Sequence, residues 1–453
     1  MKTLISFFWL LLAFAPLTSQ AQGLDEENPC GTFKTEIPKD WTQGTVIVPE
    51  NPDDLDGKKI KVFYYGKVQA NKTPVVFFNG GPGQHSHDAF YLLSRGKNTF
   101  DPKNDLSFVF IDQRGTGCSD FYPQGSSDEI LERLIYYGSL GIVADSEAVR
   151  KALIGNKPWI IFGQSYGAHI VHKYVTLYPS SVKAAFAHGN TINSNPFDRF
   201  KFRIASQVRV LNEYLRQYPE DARAIEELTF GLKLSMCFNY GKLDRQTACG
   251  YEISQDIMSS FLGSSNNWFK MHQWLNIVVD ENGLNHDGLA FYVKTFFEEP
   301  SEKYSTRWAD RVIGWVDRNT APYDLRHCKA AGLELFLDDV DIQENAFNEC
   351  ASILQDPESN LDSYGRKMVK FLPQDILTIK DFNRALVENS QINFYLYSGQ
   401  KDPFVPVESY QDELSVVGTL PNLHYKNFLG TGHDGYQTEA QVWRELIREA
   451  LKP

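Results

Sequence analysis

Three short, continuously apolar segments each break off into a glycine-rich loop: "PVVFFNGGPG" at residues 74–83, "LSFVFIDQRGTG" at 106–117 and "PWIIFGQSYG" at 158–167. An apolar run without alternation has no solvent face. It suits a strand covered on both sides, as in a parallel sheet with helices on each face. Parallel neighbours need a crossover, and "VADSEAVRKALIG" (143–155), between the second and third runs, has the helical period. Its acids come early and its bases late, the arrangement that complements a helix dipole. The pattern predicts a right-handed strand–helix–strand unit within an α/β fold. Two more strands are expected upstream, in "GTVIVPE" (44–50) and "KKIKVFYYGKV" (58–68), separated by the turn-like "NPDDLDG".

After the third run, "AHIVHKYVTLYPS" (168–180) is expected to be helical as far as Pro179, and "VKAAFAHGN" (182–190) to be another strand. From about Ile192 to Asp381 the apolar residues then recur mostly at helical spacing, as in "FRIASQVRVLNEYLRQY" (202–218) and "ENAFNECASILQD" (344–356). The buried-strand signature returns at "INFYLYSGQKDP" (392–403), followed by "LHYKNFLGTGHDG" (423–435) and a closing helix, "TEAQVWRELIREAL" (438–451). The simplest account is an α/β core in two parts, 22–191 and 381–453, with a helical insertion over 192–380.

Residues 1–21 have Lys2, an apolar stretch from Leu4 to Leu17, and Ser19-Gln20-Ala21, the layout of a secretory signal peptide cut after Ala21. A membrane anchor is the plainer reading, but the stretch is too short to span and contains Pro16. With no other apolar run of spanning length, stable membrane insertion is not expected after cleavage. The destination is outside the cytoplasm, secreted or periplasmic. Six cysteines, an even number, suit that oxidising setting: Cys30, Cys118, Cys237, Cys249, Cys328 and Cys350. Proximity favours Cys237–Cys249 and Cys328–Cys350, which leaves Cys30–Cys118. A net charge of −12 argues against nucleic acid as a partner. Metal ligation is not expected either. His85/His87 and His169/His172 lack an evident third ligand, and "DDVDIQEN" (338–345) lacks the glycine of a calcium loop.

The "GQSYG" of residues 163–167 places Ser165 between two glycines at a strand-to-helix corner. This is the pattern of a nucleophile elbow, although G-x-S-x-G arises by chance in roughly one chain of this length in ten. Its partners decide the matter. Downstream, Asp402 follows one expected strand and His433 follows the last, so the order is serine, acid, histidine, each at a strand end. A serine hydroxyl is a weak nucleophile. It needs an imidazole to take its proton and a carboxylate to orient that imidazole. The oxyanion formed on the substrate then needs fixed N–H donors. Tyr166, after the nucleophile, and Gly81, in the first glycine loop, are the expected ones.

"NGGPG" (79–83), "DQRGTGCSD" (112–120), "GQSYG", "GQKDPFVP" (399–406) and "GTGHDG" (430–435) occur together and in order. In this the chain resembles the prolyl iminopeptidase and tripeptidyl aminopeptidase family of serine peptidases, in particular its larger, exported members. The resemblance covers roughly residues 42–192 and 380–453. It implies an α/β-hydrolase fold, a mostly parallel eight-stranded sheet with a large helical cap inserted before the acid-bearing strand. It also implies Ser165, Asp402 and His433 as the triad, Gly81 and Tyr166 as the oxyanion hole, no cofactor, and peptides with a free N-terminus as substrates. Asn79 stands where family members often have histidine, and Tyr166 where many have tryptophan, so the preferred N-terminal residue stays open. An esterase or amidase of the same fold, or a binding protein that has lost catalysis, are the rival readings. Acids that would meet a substrate ammonium are expected in the insertion, where Glu298 and Glu299 follow aromatic residues.

Overall fold

The apolar runs are strands of one sheet. The computed structural model describes residues 29–81, 85–87, 106–120, 133, 135–192, 198–225, 237–239, 247–249, 261–263, 265–285, 377–402, 404–433, 435 and 439–452. A short helix, α1 (Pro29–Glu36), precedes β1 (Thr42–Pro49), β2 (Lys59–Gly66), β3 (Val75–Phe78) and β4 (Phe108–Ile111). Helix α2 (Ser139–Ile154) leads to β5 (Trp159–Gln164), and α3 (Tyr166–Leu177) leads to β6 (Val182–His188). The insertion contributes α4 (Asp198–Gln217), a small antiparallel pair of β7 (Cys237–Asn239) with β8 (Thr247–Cys249), then α5 (Trp268–Val278) and a second pair of β9 (Val279–Asp280) with β10 (Gly283–Leu284). The periodicity did not foretell these two hairpins. The chain closes with α6 (Ile379–Glu388), β11 (Asn393–Gly399), α7 (Val407–Val417), β12 (Leu423–Phe428) and α8 (Ala440–Leu451).

The main sheet has eight strands in the order β1-β2-β4-β3-β5-β6-β11-β12. β1 and β2 run antiparallel at one edge, and the six from β4 to β12 are parallel. Parallel strands end along one edge of a sheet, so the loops after β3, β5, β6, β11 and β12 share that edge. The sheet is assembled from strands on both sides of the stretch between β6 and α6, and β11 pairs directly with β6.

Successive side chains of a strand alternate between faces. Val76 and Phe78 of β3 join a core with Val143, Ile170, Tyr174, Phe382 and Leu386, from α2, α3 and α6. Val75 and Phe77 join the opposite core with Phe33 of α1 and Trp443 of α8. Both faces are covered, which is why these runs never alternate. Each such aromatic or branched side chain contributes about 1.5–3 kcal/mol by leaving water.

One expectation is corrected. Helix α2 starts at Ser139, a turn before the periodic stretch, so its first turn holds no acid. Asp145 and Glu147 are buried mid-helix, paired with Arg114 at 2.6 Å and Arg150 at 2.7 Å. The acids of this helix serve packed ion pairs rather than its dipole, while Lys151 stands in the last turn as expected. Among the described residues no helix is long and apolar enough to cross a membrane.

Candidate active site

Ser165 is the one non-glycine residue with positive φ among the described residues, at φ 56° and ψ −123°. Such a conformation costs on the order of 1–3 kcal/mol and persists only where its surroundings impose it. Two close approaches impose it here. A Cβ on Gly163 would lie 2.1 Å from the carbonyl oxygen of Gly167, and one on Gly167 would lie 2.0 Å from that of Phe78. The first glycine lets the turn fold onto itself, and the second lets α3 start against the end of β3. The Ser165 N–H donates to the His188 carbonyl at 2.8 Å, tying the turn to the end of β6. The glycines of this motif are thus geometric requirements of the elbow.

Asp402 lies just past β11, fully buried, and His433 lies past β12 with 22 % of its side chain exposed. Asp402 Oδ2 is 2.8 Å from His433 Nδ1. Its Oδ1 accepts the backbone N–H groups of Phe404 at 2.8 Å and Val405 at 2.9 Å, which fixes the carboxylate plane. The two loops are clasped together: Lys401 N–H donates to the Thr431 carbonyl at 2.9 Å, and a Cβ on Gly399 would stand 2.3 Å from the Gly432 carbonyl oxygen. Gln164 Nε2, beside the elbow, donates to the His433 carbonyl at 3.0 Å.

The meeting point of these loops is Gly189, at φ 77°. A Cβ there would be 3.1 Å from His433 Cε1, 3.3 Å from His433 Nδ1 and 3.3 Å from Ser165 N. A side chain there would be strained at that φ and would press on both the imidazole and the elbow, so glycine suits the point where they close on each other. Helix α4 docks beside them. Ser206 Oγ of α4 donates to the Asp402 carbonyl at 3.2 Å, Arg209 to the Gln400 carbonyl at 3.1 Å, and Glu213 pairs with Lys401 at 3.4 Å. The Lys401 ammonium also lies 3.8 Å from the ring centroid of Trp268 at the start of α5, a cation–π contact.

Of the expected donors, Tyr166 opens α3, where the helix dipole is positive. Gly81 follows β3 with φ 104° and is exposed. Cys30 and Cys118 form a disulfide that ties α1 to the loop after β4. Strand pairing sets Cys237 directly opposite Cys249. Cys328, Cys350, Glu298 and Glu299 lie outside the described residues. The histidine pair on α3 is not a ligand pair: His172 is buried, bonded to the Ala168 carbonyl at 2.7 Å and to Glu413 at 2.9 Å. His87 does acquire neighbours the sequence did not suggest, since its ring, Asp112 and Cys118 bring ligand-type atoms within 4.8 Å of one another. The Cys118 sulfur is already bonded to Cys30, and Asp112 is saturated by N–H and O–H donors, so the trio is a hydrogen-bonded anchor.

Beyond this geometry, the family described as alpha/beta hydrolase fold matches residues 73–440, most of the chain. The chain belongs to that family. Among its relatives, a proline iminopeptidase of Aspergillus aculeatus is 28% identical over 138 residues, covering 28% of this chain and 31% of the relative. A proline iminopeptidase of Thermoplasma volcanium is 26% identical over 194 residues, covering 43% of this chain and 55% of the relative. The alignments thus span about a third to a half of these relatives. The crystal structure of a proline iminopeptidase from Mycobacterium smegmatis aligns over 90% of this chain and 97% of its own, with 14% identity and a TM-score of 0.43.

This α/β-hydrolase has a second histidine in its centre that sequence reasoning passed over. His188 ends β6, is fully buried, and has no hydrogen-bond partner for either ring nitrogen among the described residues. It meets Trp443 edge-on at 5.9 Å, and a Cβ on Gly435 would sit 2.5 Å from its Nε2. Burial pushes its imidazole down to about 3; nearby Asp402 pulls it up, and His433 pushes it further down. The one signal in the sequence was its place, a histidine before glycine at a strand end.

The unfolded chain's His188 takes up its proton near pH 6.5, well before the folded one. Its contribution to stability is therefore full above about pH 6.5 and is lost as pH falls toward 3, by about 1.4 kcal/mol per pH unit. We expect the unfolding free energy of the His188→Asn variant to depend on pH less steeply between pH 4 and 6, by about that slope. Urea titrations at several pH values measure this, and equal slopes would refute it.

Proposed function

We propose that this chain is a secreted or periplasmic serine aminopeptidase that hydrolyses residues, of proline type or as short peptides, from free peptide N-termini through an acyl-enzyme on Ser165. One observation carries the reading: the strained Ser165 turn and the Asp402–His433 pair meet across Gly189, at the edge where the parallel strands end. In this reading Ser165 Oγ attacks the scissile carbonyl while His433 Nε2 takes its proton, and Asp402 holds the Nδ1–H. Charge gathering on the carbonyl oxygen is met by the N–H groups of Tyr166 and Gly81. The imidazolium then protonates the leaving amine as the C–N bond breaks. Water, losing its proton to the same imidazole, releases the acyl fragment. The steps need no cofactor.

The relatives named as proline iminopeptidases support a peptide substrate. Export is supported by the sequence of residues 1–21 and by the Cys30–Cys118 disulfide, which suits an oxidising compartment. An exopeptidase must recognise a free ammonium, and a desolvated cation needs carboxylates in good geometry. In this reading the insertion over 192–380 supplies them.

N-acetylating the substrate removes the charge and those contacts. On a panel of aminoacyl and tripeptidyl chromogenic amides, kcat/KM should fall about 100-fold or more, about 3 kcal/mol of charge-assisted contact. Equal cleavage of blocked and free amides, or turnover of short-chain esters alone, would favour an esterase or amidase instead.

A further inference from the structure

The proposed chemistry leaves one sequence motif unused, the "DQRGTGCSD" after β4. Arg114 is accounted for by packing. It is buried, forms a two-pronged pair with Asp145 at 2.7 and 2.6 Å, and donates to the carbonyls of Glu50 and Tyr136, each at 2.6 Å. Asp112 and Gln113 do something else. Both are buried, and both reach across to the glycine loop that follows β3.

Gln113 Nε2 donates to the carbonyl of Asn79 at 3.1 Å, gripping the near end of that loop. Asp112 grips the far end. Its Oδ1 accepts the Ser86 N–H at 2.9 Å and the Ser86 hydroxyl at 2.6 Å, and its Oδ2 stands 3.2 Å from His87 Nε2. The Cys118 N–H, beside the disulfide, donates to the same Oδ2 at 2.7 Å. Burial alone would raise the Asp112 carboxyl, but His87 and these donors hold it well below the usual carboxylate range. The Asn79 side chain closes the loop on itself by donating to the His85 carbonyl.

Between the two grips runs "GGPGQ", residues 80–84. Gly80 and Gly81 have little intrinsic preference for one backbone geometry, so the conformation at Gly81, φ 104°, must be imposed from outside. An oxyanion donor acts only if it is fixed in advance, because its advantage over water is that it need not reorient.

We propose that Asp112 and Gln113 are positioning residues that hold this loop, and with it the Gly81 N–H, in register with Ser165. The proposal rests on the acyl-transfer reading above. Neither residue touches substrate; both act through the loop on the transition state, where the oxyanion forms. Removing an oxyanion donor outright costs about 10²–10³ in kcat, and loosening one costs less.

The test uses the full chain with Gln113→Leu, which keeps volume and removes the donor, and Ser86→Ala, which removes one of the bonds to Asp112 and leaves its backbone partner. For Gln113→Leu, kcat should fall about 10- to 100-fold with KM changed less than about threefold. Affinity for a substrate-like peptide aldehyde, which forms a tetrahedral adduct on the serine, should fall in parallel with kcat/KM. Ser86→Ala should show the same split with a smaller loss, and it carries the test alone if Gln113→Leu does not fold. A folded variant with unchanged kcat, a loss confined to KM, or a lower kcat with undiminished aldehyde affinity would overturn the assignment. Labelling of the wild type by a fluorophosphonate is run first. A wild-type chain that neither labels nor turns over any acyl substrate removes the acyl-transfer reading, and this inference with it. Failure of the inference alone shows as an active wild type with indifferent variants.

Discussion

Ser165→Ala should fold like the wild type and lose turnover by at least about 10⁴-fold. The fold is expected to survive because nothing that shapes the elbow belongs to the hydroxyl. The turn is set by the close approach of Gly163 to Gly167, by Gly167 against Phe78, and by the Ser165 backbone N–H on the His188 carbonyl. Alanine keeps the same Cβ, so it meets φ 56° with the same strain. Under the proposed mechanism catalysis should not survive, because the residual acceleration of a site without its nucleophile comes only from binding and oxyanion stabilisation. Steady-state kinetics on the purified variant, with a melting curve beside them, check both halves. Retention of more than about a tenth of wild-type kcat by a folded variant would remove Ser165 from the mechanism.

How far this arrangement is legible in the sequence depends on the distance each contact bridges. The strands after Pro74, Leu106 and Pro158 are legible because burial on both faces of a sheet leaves a local mark, an apolar run without alternation. Ser165, Asp402 and His433 are legible as strand-end residues because chain order and loop composition are local too. The Asp402–His433 bond at 2.8 Å is a matter of three dimensions. Gly189 and His188 left only a faint mark, a histidine before glycine at a strand end, because their significance lies in what approaches them, the elbow from one side and the His433 loop from the other. Asp112 and Gln113 were noticed only as letters of a motif, since their partners, Ser86 and Asn79, are more than twenty residues away. Asp145 and Glu147 misled for the opposite reason. Their local position looked like dipole complementation, while Arg114 and Arg150 supply their pairing.

The second large effect concerns Asp402 and turns on hydrogen-bond donors more than on charge. Oδ1 accepts two backbone N–H groups, from Phe404 and Val405, and Oδ2 faces His433 Nδ1. In Asp402→Asn the side chain has one acceptor and one donor for those two positions. Turning the amide nitrogen toward the two N–H groups would set donor against donor in a buried site, at a cost of about 1–3 kcal/mol for each unmet group. The oxygen therefore stays on the backbone, and the amide nitrogen points at His433. An amide N–H directed at Nδ1 requires that nitrogen to be an acceptor, which moves the imidazole proton to Nε2, the nitrogen that takes the serine proton in the proposed mechanism. The base is then present in the wrong tautomer. A fall in kcat of about 10⁴-fold is expected, with KM and thermal stability little changed. Kinetics of Asp402→Asn beside Asp402→Ala separate tautomer from packing, because alanine leaves Nδ1 free of an imposed donor. The asparagine variant should be at least as impaired as the alanine one. If it kept more than about a hundredth of wild-type kcat, Asp402 would not be the group that sets the His433 proton.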